Sequence, residues 1–361
     1  MTNPDASNND LNRFHILTVV GARPQFIKAA PINRAIQQSL TLRESIIHTG
    51  QHYDAGMSDV FFDELEIPKP VRRFDLGGGG HGRMTGRMLE ALEDCMEELK
   101  PDAALVYGDT NSTIAGALAA AKLHIPVLHV EAGLRSFNRK MPEEINRVMA
   151  DHLSKLLFCP TRTAVLNLKN EGIETGAHLV GDVMADATLF AKSKSKALSK
   201  IVSKLGIENQ TFALCTIHRA ENSDDVSRLD AIIDFVAEKA KQIQIVLPAH
   251  PRVIGRLKSY FKDNSAIRLI DPVGYFDMHA LLAACEFVLT DSGGLQKEAY
   301  FHRKPCITLR DETEWVETIQ AGWNRLWNDS SPARAISQID DYGVGDSSGK
   351  IISIIENEFG L

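Results

Sequence analysis

Leu105-Val-Tyr-Gly-Asp109-Thr, the small-residue run Ile114-Ala-Gly-Ala-Leu-Ala-Ala-Ala121, then Val127-Leu-His129-Val-Glu131-Ala-Gly-Leu-Arg135, closing with Met141-Pro-Glu143-Glu144-Ile-Asn-Arg147: this stretch decides the fold. Two short apolar runs rich in β-formers each end in an acid, and an alanine-rich helix slim enough to pack closely on a sheet lies between them. That is a βαβ unit, and in open parallel sheets ligands bind beyond the carboxyl ends of the strands. Asp109 and Glu131 fall at two such ends, and Pro142 marks the first position of a further helix carrying Glu143. Taken singly, each acid reads equally well as a helix cap. Three together, with Arg135 and Arg147 nearby, favour a crevice in which carboxylates converge.

Bulk properties bound what such a crevice can serve. A chain of 361 residues exceeds the size at which one core keeps growing, so two domains are expected. With 44% hydrophobic and 24% charged residues the composition is that of an ordinary globular protein. A net charge of −7 without a basic stripe argues against nucleic acid as partner. The five cysteines (Cys95, Cys159, Cys215, Cys285 and Cys306) are scattered and show no CxxC spacing, so buried thiols in a reducing compartment are expected. No apolar run approaches the about 20 residues of a membrane span, and the polar start lacks a signal-peptide core. The expected location is cytoplasmic, with no membrane partner.

Residues 1–13 read as a disordered tail. A first strand, His15–Val20, runs into Gly21-Ala-Arg23-Pro-Gln25-Phe-Ile-Lys28, where a tight turn and a helix start offer N–H groups to an anion, with Arg23 and Lys28 adding charge. This is not the GxGxxG fingerprint, so NAD is not implied and no cofactor is expected. A second strand, Ser45–Thr49, ends at Gly50-Gln51-His52. Gly77-Gly-Gly-Gly80, followed by His81 and Arg83, reads as a linker rather than a substrate lid, ahead of a helix over 84–100. Further strands are expected at 154–159 and 178–181. The lysine-rich run Lys192–Lys200 follows a domain boundary.

The second half repeats the alternation. Phe212–Ile217 delivers His218-Arg219, Ile243–Leu247 delivers His250, and Cys306–Leu309 delivers Arg310. Asp291-Ser292-Gly293-Gly294 is the most informative motif there. Two glycines let backbone approach a diphosphate, Ser292 adds a hydroxyl, and the next helix aims its N–H groups at the charge. Glu298, one turn in, could take both ribose hydroxyls, as acids do in other nucleotide-binding α/β folds. A tight turn with a cap would look similar, but the cations at neighbouring strand ends favour a nucleoside diphosphate.

From about Ile16 to the C-terminus the sequence resembles the non-hydrolysing UDP-N-acetylglucosamine 2-epimerases. The resemblance rests on Gly21–Lys28, Thr49-Gly-Gln-His52, Gly108-Asp-Thr110, His129–Arg135, Pro142-Glu-Glu144, His218-Arg219, Thr290–Gly294, Glu298 and Arg310. It implies the α/β GT-B architecture: two Rossmann-like doubly wound domains with a cleft between them, over 14–190 (sugar side) and 191–345 (UDP side), and a last helix in 346–361 crossing back. It also implies a UDP-sugar substrate, a homodimer, no metal, and a product used in surface-polysaccharide assembly. The implied chemistry interconverts UDP-GlcNAc and UDP-ManNAc by eliminating UDP across C1–C2 to a 2-acetamidoglycal and re-adding it. Asp109, Glu131 and Glu143 match the acid/base residues, none of them singled out as the base. Lys28, His218 and Arg219 would neutralise the departing UDP, Arg135 would orient the trio, and Arg23, His250, Ser292, Gly293, Gly294, Glu298 and Arg310 complete the binding set. Crowding of three acids should raise at least one pKa.

Two departures bear on the substrate. Family members commonly carry Glu where this chain has Gln25, and an aromatic where Met278 aligns, so Tyr275 or Phe276 is expected to stack on the base. Gln25, with 311–318 and 321–325, resembles the branch acting on UDP-2,3-diacetamido-2,3-dideoxyglucuronate. A neutral Gln25 would ease repulsion of a C6 carboxylate, with Arg83 or Arg139 as its partner; otherwise Gln25 faces solvent. Gln51 matches an allosteric position of the family, whereas the 77–80 run does not. Two other functions share the UDP half: a GT-B glycosyltransferase, and a catalytically silent UDP-sugar sensor. Neither has reason to keep all three acids.

Overall fold

The computed structural model describes residues 12–51, 62–250, 252–262 and 264–361. Most of the expected tail, and His52 of the second strand-end motif, lie outside them. The chain divides into two compact units, Met1–Ala187 with Asp341–Leu361, and Thr188–Asp340.

The first unit runs β1 (Phe14–Val20), α1 (Arg23–Gln38), β2 (Leu42–His48), β3 (Arg72–Arg73), α2 (His81–Leu99), β4 (Ala103–Tyr107), α3 (Asn111–Lys122), β5 (Val127–Val130), α4 (Pro142–Leu153), β6 (Leu156–Cys159), α5 (Arg162–Asn170) and β7 (Ala177–Leu179), entering α6 (Val183–Leu198). Its described strands form one parallel sheet in the order β3-β2-β1-β4-β5-β6-β7. The order reverses between β1 and β4, which pair Ile16 with Ala103. That reversal point is where open α/β sheets bind ligands.

Helix α3 shows why the quoted stretch folds as it does. Thr110 caps it by accepting from the Thr113 N–H, and alanines carry it with little loss of side-chain freedom. It is buried along nearly its whole length. A methyl at Gly116 would meet the side chains of Val19 and Val106 at 3.2 Å, tighter than ordinary contact. A larger residue there would overpack the sheet, typically at about 1–3 kcal/mol. Leu17, Val19, Ile47, Ala104 and Val106 of the sheet pack with Met88, Leu92 and Met96 of α2 in the same apolar cluster.

The second unit continues with α7 (Ile201–Lys204), β8 (Phe212–Thr216), α8 (Ala220–Ser223), α9 (Val226–Ala240), β9 (Gln244–Pro248), α10 (Ile254–Tyr260), β10 (Ile267–Ile270), α11 (Tyr275–Ala284), β11 (Val288–Thr290), α12 (Gly293–Phe301), β12 (Cys306–Thr308), α13 (Val316–Gln320) and β13 (Asn324–Leu326). Its strands order as β10-β9-β8-β11-β12-β13, again parallel, with the reversal between β8 and β11. Apolar clusters cover both faces of this sheet, as buried parallel strands require.

The last helix, α14 (Ser347–Phe359), packs in the first unit. Glu356 accepts from the hydroxyls of Ser39 and Thr41 at 2.9 and 2.6 Å, Phe359 lies 4.5 Å from Phe14, and Asp186 caps the helix start at Ser348 N. One boundary differs from the sequence reading. Helix α2 begins at His81, directly after the glycine run, so His81 and Arg83 sit on a helix rather than in a loop. Arg87, a turn and a half along, donates to the carbonyls of Leu76, Gly77 and Gly78 at 2.8–3.0 Å and straps the run. All five cysteines are buried as free thiols. Among the described residues no helix is long and apolar enough to cross a membrane.

Candidate active site

The reversal point of the first sheet is drawn together by a glutamine. Ala22, at the cap position before α1, has only a methyl and cannot cap the helix, and Gln25 folds back from the first turn onto the backbone that leads into it. Its Oε1 accepts from Gly21 N and Ala22 N at 2.8 and 3.2 Å. Its Nε2 donates to the Tyr107 carbonyl at 3.0 Å and to Thr113 Oγ1 at 3.1 Å. Only 1% of Gln25 is exposed, so it neither faces solvent nor presents itself to a sugar. The solvent-facing reading of Gln25 is corrected: it is a buried tie between the ends of β1 and β4. Gly21 permits close approach on both sides of β1, since a Cβ there would fall 2.2 Å from Ser112 Oγ, in the helix after β4, and 2.1 Å from Thr49 Oγ1, after β2. Arg23 stands exposed at the helix start.

Lys28, one turn into α1, is buried and forms an ion pair with Glu131 at the end of β5. Its ammonium, expected on the leaving diphosphate, is thus committed to an acid. Gly108 makes room for the pair: at φ +60 it takes a left-handed conformation, and a Cβ there would lie 3.0 Å from Lys28 Nζ and 3.4 Å from Glu131 Oε1. Glu131 is itself left-handed at φ +67, a conformation costing a non-glycine residue about 1 kcal/mol or more. Its backbone N–H and that of Ala132 both donate to the Phe158 carbonyl at 3.1 Å, which holds the bend.

Asp109 pairs with Arg147 of α4, and Asn146 Nδ2 donates to the Asp109 carbonyl at 3.0 Å. Arg147 also holds Glu144 at 3.0 Å. Glu144 is structural: its carboxylate accepts from the N–H groups of Ser136 and Phe137 at 2.9 and 2.8 Å. Glu143, beside it in the first turn, is half-buried, and its carboxylate has no hydrogen bond or ion pair among the described residues. The three acids do not simply crowd one another, because Asp109 and Glu131 each have their own cation.

Arg135 does not orient this trio. Its guanidinium pairs with Asp151 at 2.7 Å and, through a two-nitrogen fork, with Glu171 at 2.7 Å. Arg147, four residues past Glu143 on the same helix, is the arginine that reaches an acid of the trio. Asp151 escaped the sequence reading altogether. Fully buried, it accepts from His129 Nδ1 at 2.7 Å and from Gly133 N at 3.1 Å, while His129 Nε2 lies 2.8 Å from the Gly108 carbonyl. Burial opposes the ionised Asp151, but His129 and Arg135 outweigh it and hold its pKa below the usual carboxylate range. A signal was available, since Asp151 lies four residues beyond Arg147 and hence on the same helix face.

The second unit carries an analogous knot at its own reversal point. Asp291, at the end of β11, is wholly buried and accepts from His218 N, Arg219 N and Asn222 Nδ2 at 2.9–3.1 Å. His218 Nδ1 lies 3.1 Å from it, leaving a ring that is 42% exposed. Burial pushes the Asp291 pKa up, yet the His218 hydrogen bond and charge and the two backbone donors bring it below normal. Ser292 caps α12 by accepting from Leu295 N at 3.4 Å, and the N–H groups of Gly293 and Gly294 open the helix. The His250 ring lies 6.2 Å from that of His218, and its pKa is lowered by burial and by the His218 charge.

Two expectations in this unit are corrected. Arg310 is buried and held by Glu221 at 3.1 Å and Glu314 at 3.0 Å, so it fastens the 310–315 turn instead of standing open to a phosphate. Tyr275 and Phe276 are 1% and 7% exposed and pack on His279 and Phe190, so neither offers a free face to a base. Glu298 lies on α12, 5% exposed. Among the described residues no group of three or more His, Cys, Asp or Glu is placed to hold a metal ion.

Residues 34–356 match the family described as UDP-N-acetylglucosamine 2-epimerase. A Pseudomonas aeruginosa protein named UDP-2,3-diacetamido-2,3-dideoxy-D-glucuronate 2-epimerase is 54% identical over 86% of this chain and 87% of its own. A Methanococcus maripaludis UDP-N-acetylglucosamine 2-epimerase homolog is 50% identical over 95% of this chain and 99% of its own. The crystal structure of Methanocaldococcus jannaschii UDP-GlcNAc 2-epimerase in complex with UDP-GlcNAc and UDP matches with a TM-score of 0.84 at 39% identity, covering 95% of this chain and 99% of that one.

Proposed function

Because this chain belongs to the UDP-N-acetylglucosamine 2-epimerase family, isomerases of GT-B fold, we propose that it inverts C2 of a UDP-linked 2-acetamido sugar. One observation carries the reading: at a single sheet reversal point two carboxylates, Asp109 and Glu131, each keep a buried cation, with Glu143 unengaged beside Asp109's partner. Inverting C2 breaks a C–H bond with no adjacent carbonyl. A carboxylate takes the C2 proton as the bond from C1 to the UDP oxygen breaks, leaving a 2-acetamidoglycal and UDP. The reverse addition forms the C1–O bond again while an acid delivers a proton to the opposite face of C2. Such a route needs an acid and a base around C2, which this trio supplies. UDP is bound by the second unit, through the start of α12, His218 and Arg219, with Glu298 on the ribose hydroxyls.

The 54% identity with the P. aeruginosa protein favours UDP-2,3-diacetamido-2,3-dideoxyglucuronate as substrate. UDP-GlcNAc, giving UDP-ManNAc, is the second reading, favoured by the 39% identical M. jannaschii protein. The working form is a cytoplasmic homodimer that needs no metal or other cofactor, and its product enters surface-polysaccharide assembly. The test incubates the protein with each nucleotide sugar in heavy water and follows C2 by NMR. Deuterium at C2 together with the inverted epimer supports the reading. Absence of exchange with both sugars, or strict dependence on added NAD or metal, overturns it. A side-by-side kcat/KM decides between the sugars, and light scattering tests the dimer.

A further inference from the structure

Glu298 has unusual surroundings for a ligand-binding acid. It is almost wholly buried, and among the described residues no hydrogen bond reaches its carboxylate. Behind it, on α11, stands His279, fully buried, with Nε2 3.7 Å from Glu298 Oε1 and without any hydrogen-bond partner. The other nitrogen of that ring, Nδ1, lies 2.9 Å from Nε2 of His302, and the Tyr275 ring packs edge-on against His279 at 4.4 Å. The rotamer of His279 is thus set by its neighbours on two sides.

The hydrogen positions follow from elimination. Across 2.9 Å one imidazole donates and the other accepts. Burial first, then the charges of His279, Lys192 and Lys304, lower the His302 pKa to about 3, so His302 is neutral with a single N–H. If His302 donates, His279 accepts at Nδ1 and carries its proton on Nε2. If a neutral His279 donated instead, a bare lone pair on Nε2 would face the Glu298 carboxylate in a dry site, where two acceptors repel. A doubly protonated His279 also carries a proton on Nε2. With Glu298 ionised, as a partner for ribose hydroxyls requires, every favourable arrangement therefore aims a buried N–H at it. Buried donors are rarely left unmet, and a carboxylate shift of under an ångström would bring this one to the about 2.8 Å of a charge-assisted bond.

We propose that His279, with its tautomer set by His302, is a positioning residue for Glu298: it pins one carboxylate oxygen so that the remaining lone pairs meet the vicinal ribose hydroxyls of the nucleotide. This role rests on the ribose reading of Glu298 and extends it two residues inward.

The test compares UDP with 2′,3′-dideoxy-UDP by calorimetry for the wild type, His279→Phe, His279→Gln and Glu298→Ala, with thermal melts alongside. His279→Phe should weaken UDP about tenfold, the usual size of a lost charge-assisted bond, and leave 2′,3′-dideoxy-UDP unchanged. His279→Gln, whose amide nitrogen can replace Nε2, should recover most of the loss. Equal weakening of both nucleotides by His279→Phe, or none, overturns the positioning role. If Glu298→Ala weakens both nucleotides equally, or neither, the ribose reading itself falls. A selective loss in Glu298→Ala with none in His279→Phe overturns the positioning role alone. Should His279→Phe not fold, His302→Leu, which frees the tautomer, carries the same comparison.

Discussion

Gln25 and Tyr107 are joined across 82 positions of sequence: the glutamine Nε2 donates to the Tyr107 carbonyl at 3.0 Å. The same side chain holds the Gly21 and Ala22 N–H groups, so the turns after β1 and β4, which border the candidate site, keep a fixed spacing.

Gln25→Leu should therefore lower stability by about 2–4 kcal/mol, because two buried donors and two buried acceptors lose their partner at once. Urea denaturation measures this, and an unchanged midpoint would refute it. Gln25→Glu should leave the preference between the uronate and UDP-GlcNAc unaltered, since the side chain does not present itself to a sugar.

Asp109→Asn, Glu131→Gln and Glu143→Gln should each lower turnover by about 10²–10⁴-fold, the range for a lost general acid or base, while UDP affinity stays near wild type. Single-turnover assays with C2-deuterated substrate check this. Near-normal rates in all three variants would remove the catalytic assignment.

The two arginines should separate by phenotype. Arg135→Met leaves Asp151 buried without its guanidinium and should cost about 3–5 kcal/mol of stability. Arg147→Lys keeps the charge but loses the fork that holds Asp109 and Glu144 together, so turnover should fall while the melting temperature changes little. Opposite outcomes would restore Arg135 to the acid trio.

Acid stability should trace in part to Asp291. Its folded pKa is depressed, so on acidification the unfolded chain takes up the proton first. The stability it contributes is complete above about pH 4 and is lost as pH falls through the folded pKa. Asp291→Asn should flatten the acid limb of a plot of urea midpoint against pH. Parallel limbs in variant and wild type would show that the group carries no such linkage.

The strand-end acids were legible because they depend on short-range pattern. Apolar runs that end at Gly-Asp, Val-Glu or Thr-Asp, followed by small residues or a capping hydroxyl, place Asp109, Glu131 and Asp291 at carboxyl ends whatever the rest of the chain does. Pro142 likewise set the start of α4 and hence the place of Glu143. What each acid pairs with was decided elsewhere. Lys28 meets Glu131 across 103 positions because the sheet order sets β1 beside β4 and hence next but one to β5, and Arg147 meets Asp109 across 38 because the helix after β5 packs back over the end of β4. Gln25 looked like a surface charge change and proved to be a buried tie. Nothing in the sequence singled out His279, and only the folded chain brings its Nε2 to 3.7 Å from Glu298. Local propensity and period write the elements and their ends. The partner of a buried charge is chosen by which desolvated groups the sheet order brings within hydrogen-bond reach, and that is a property of the folded chain.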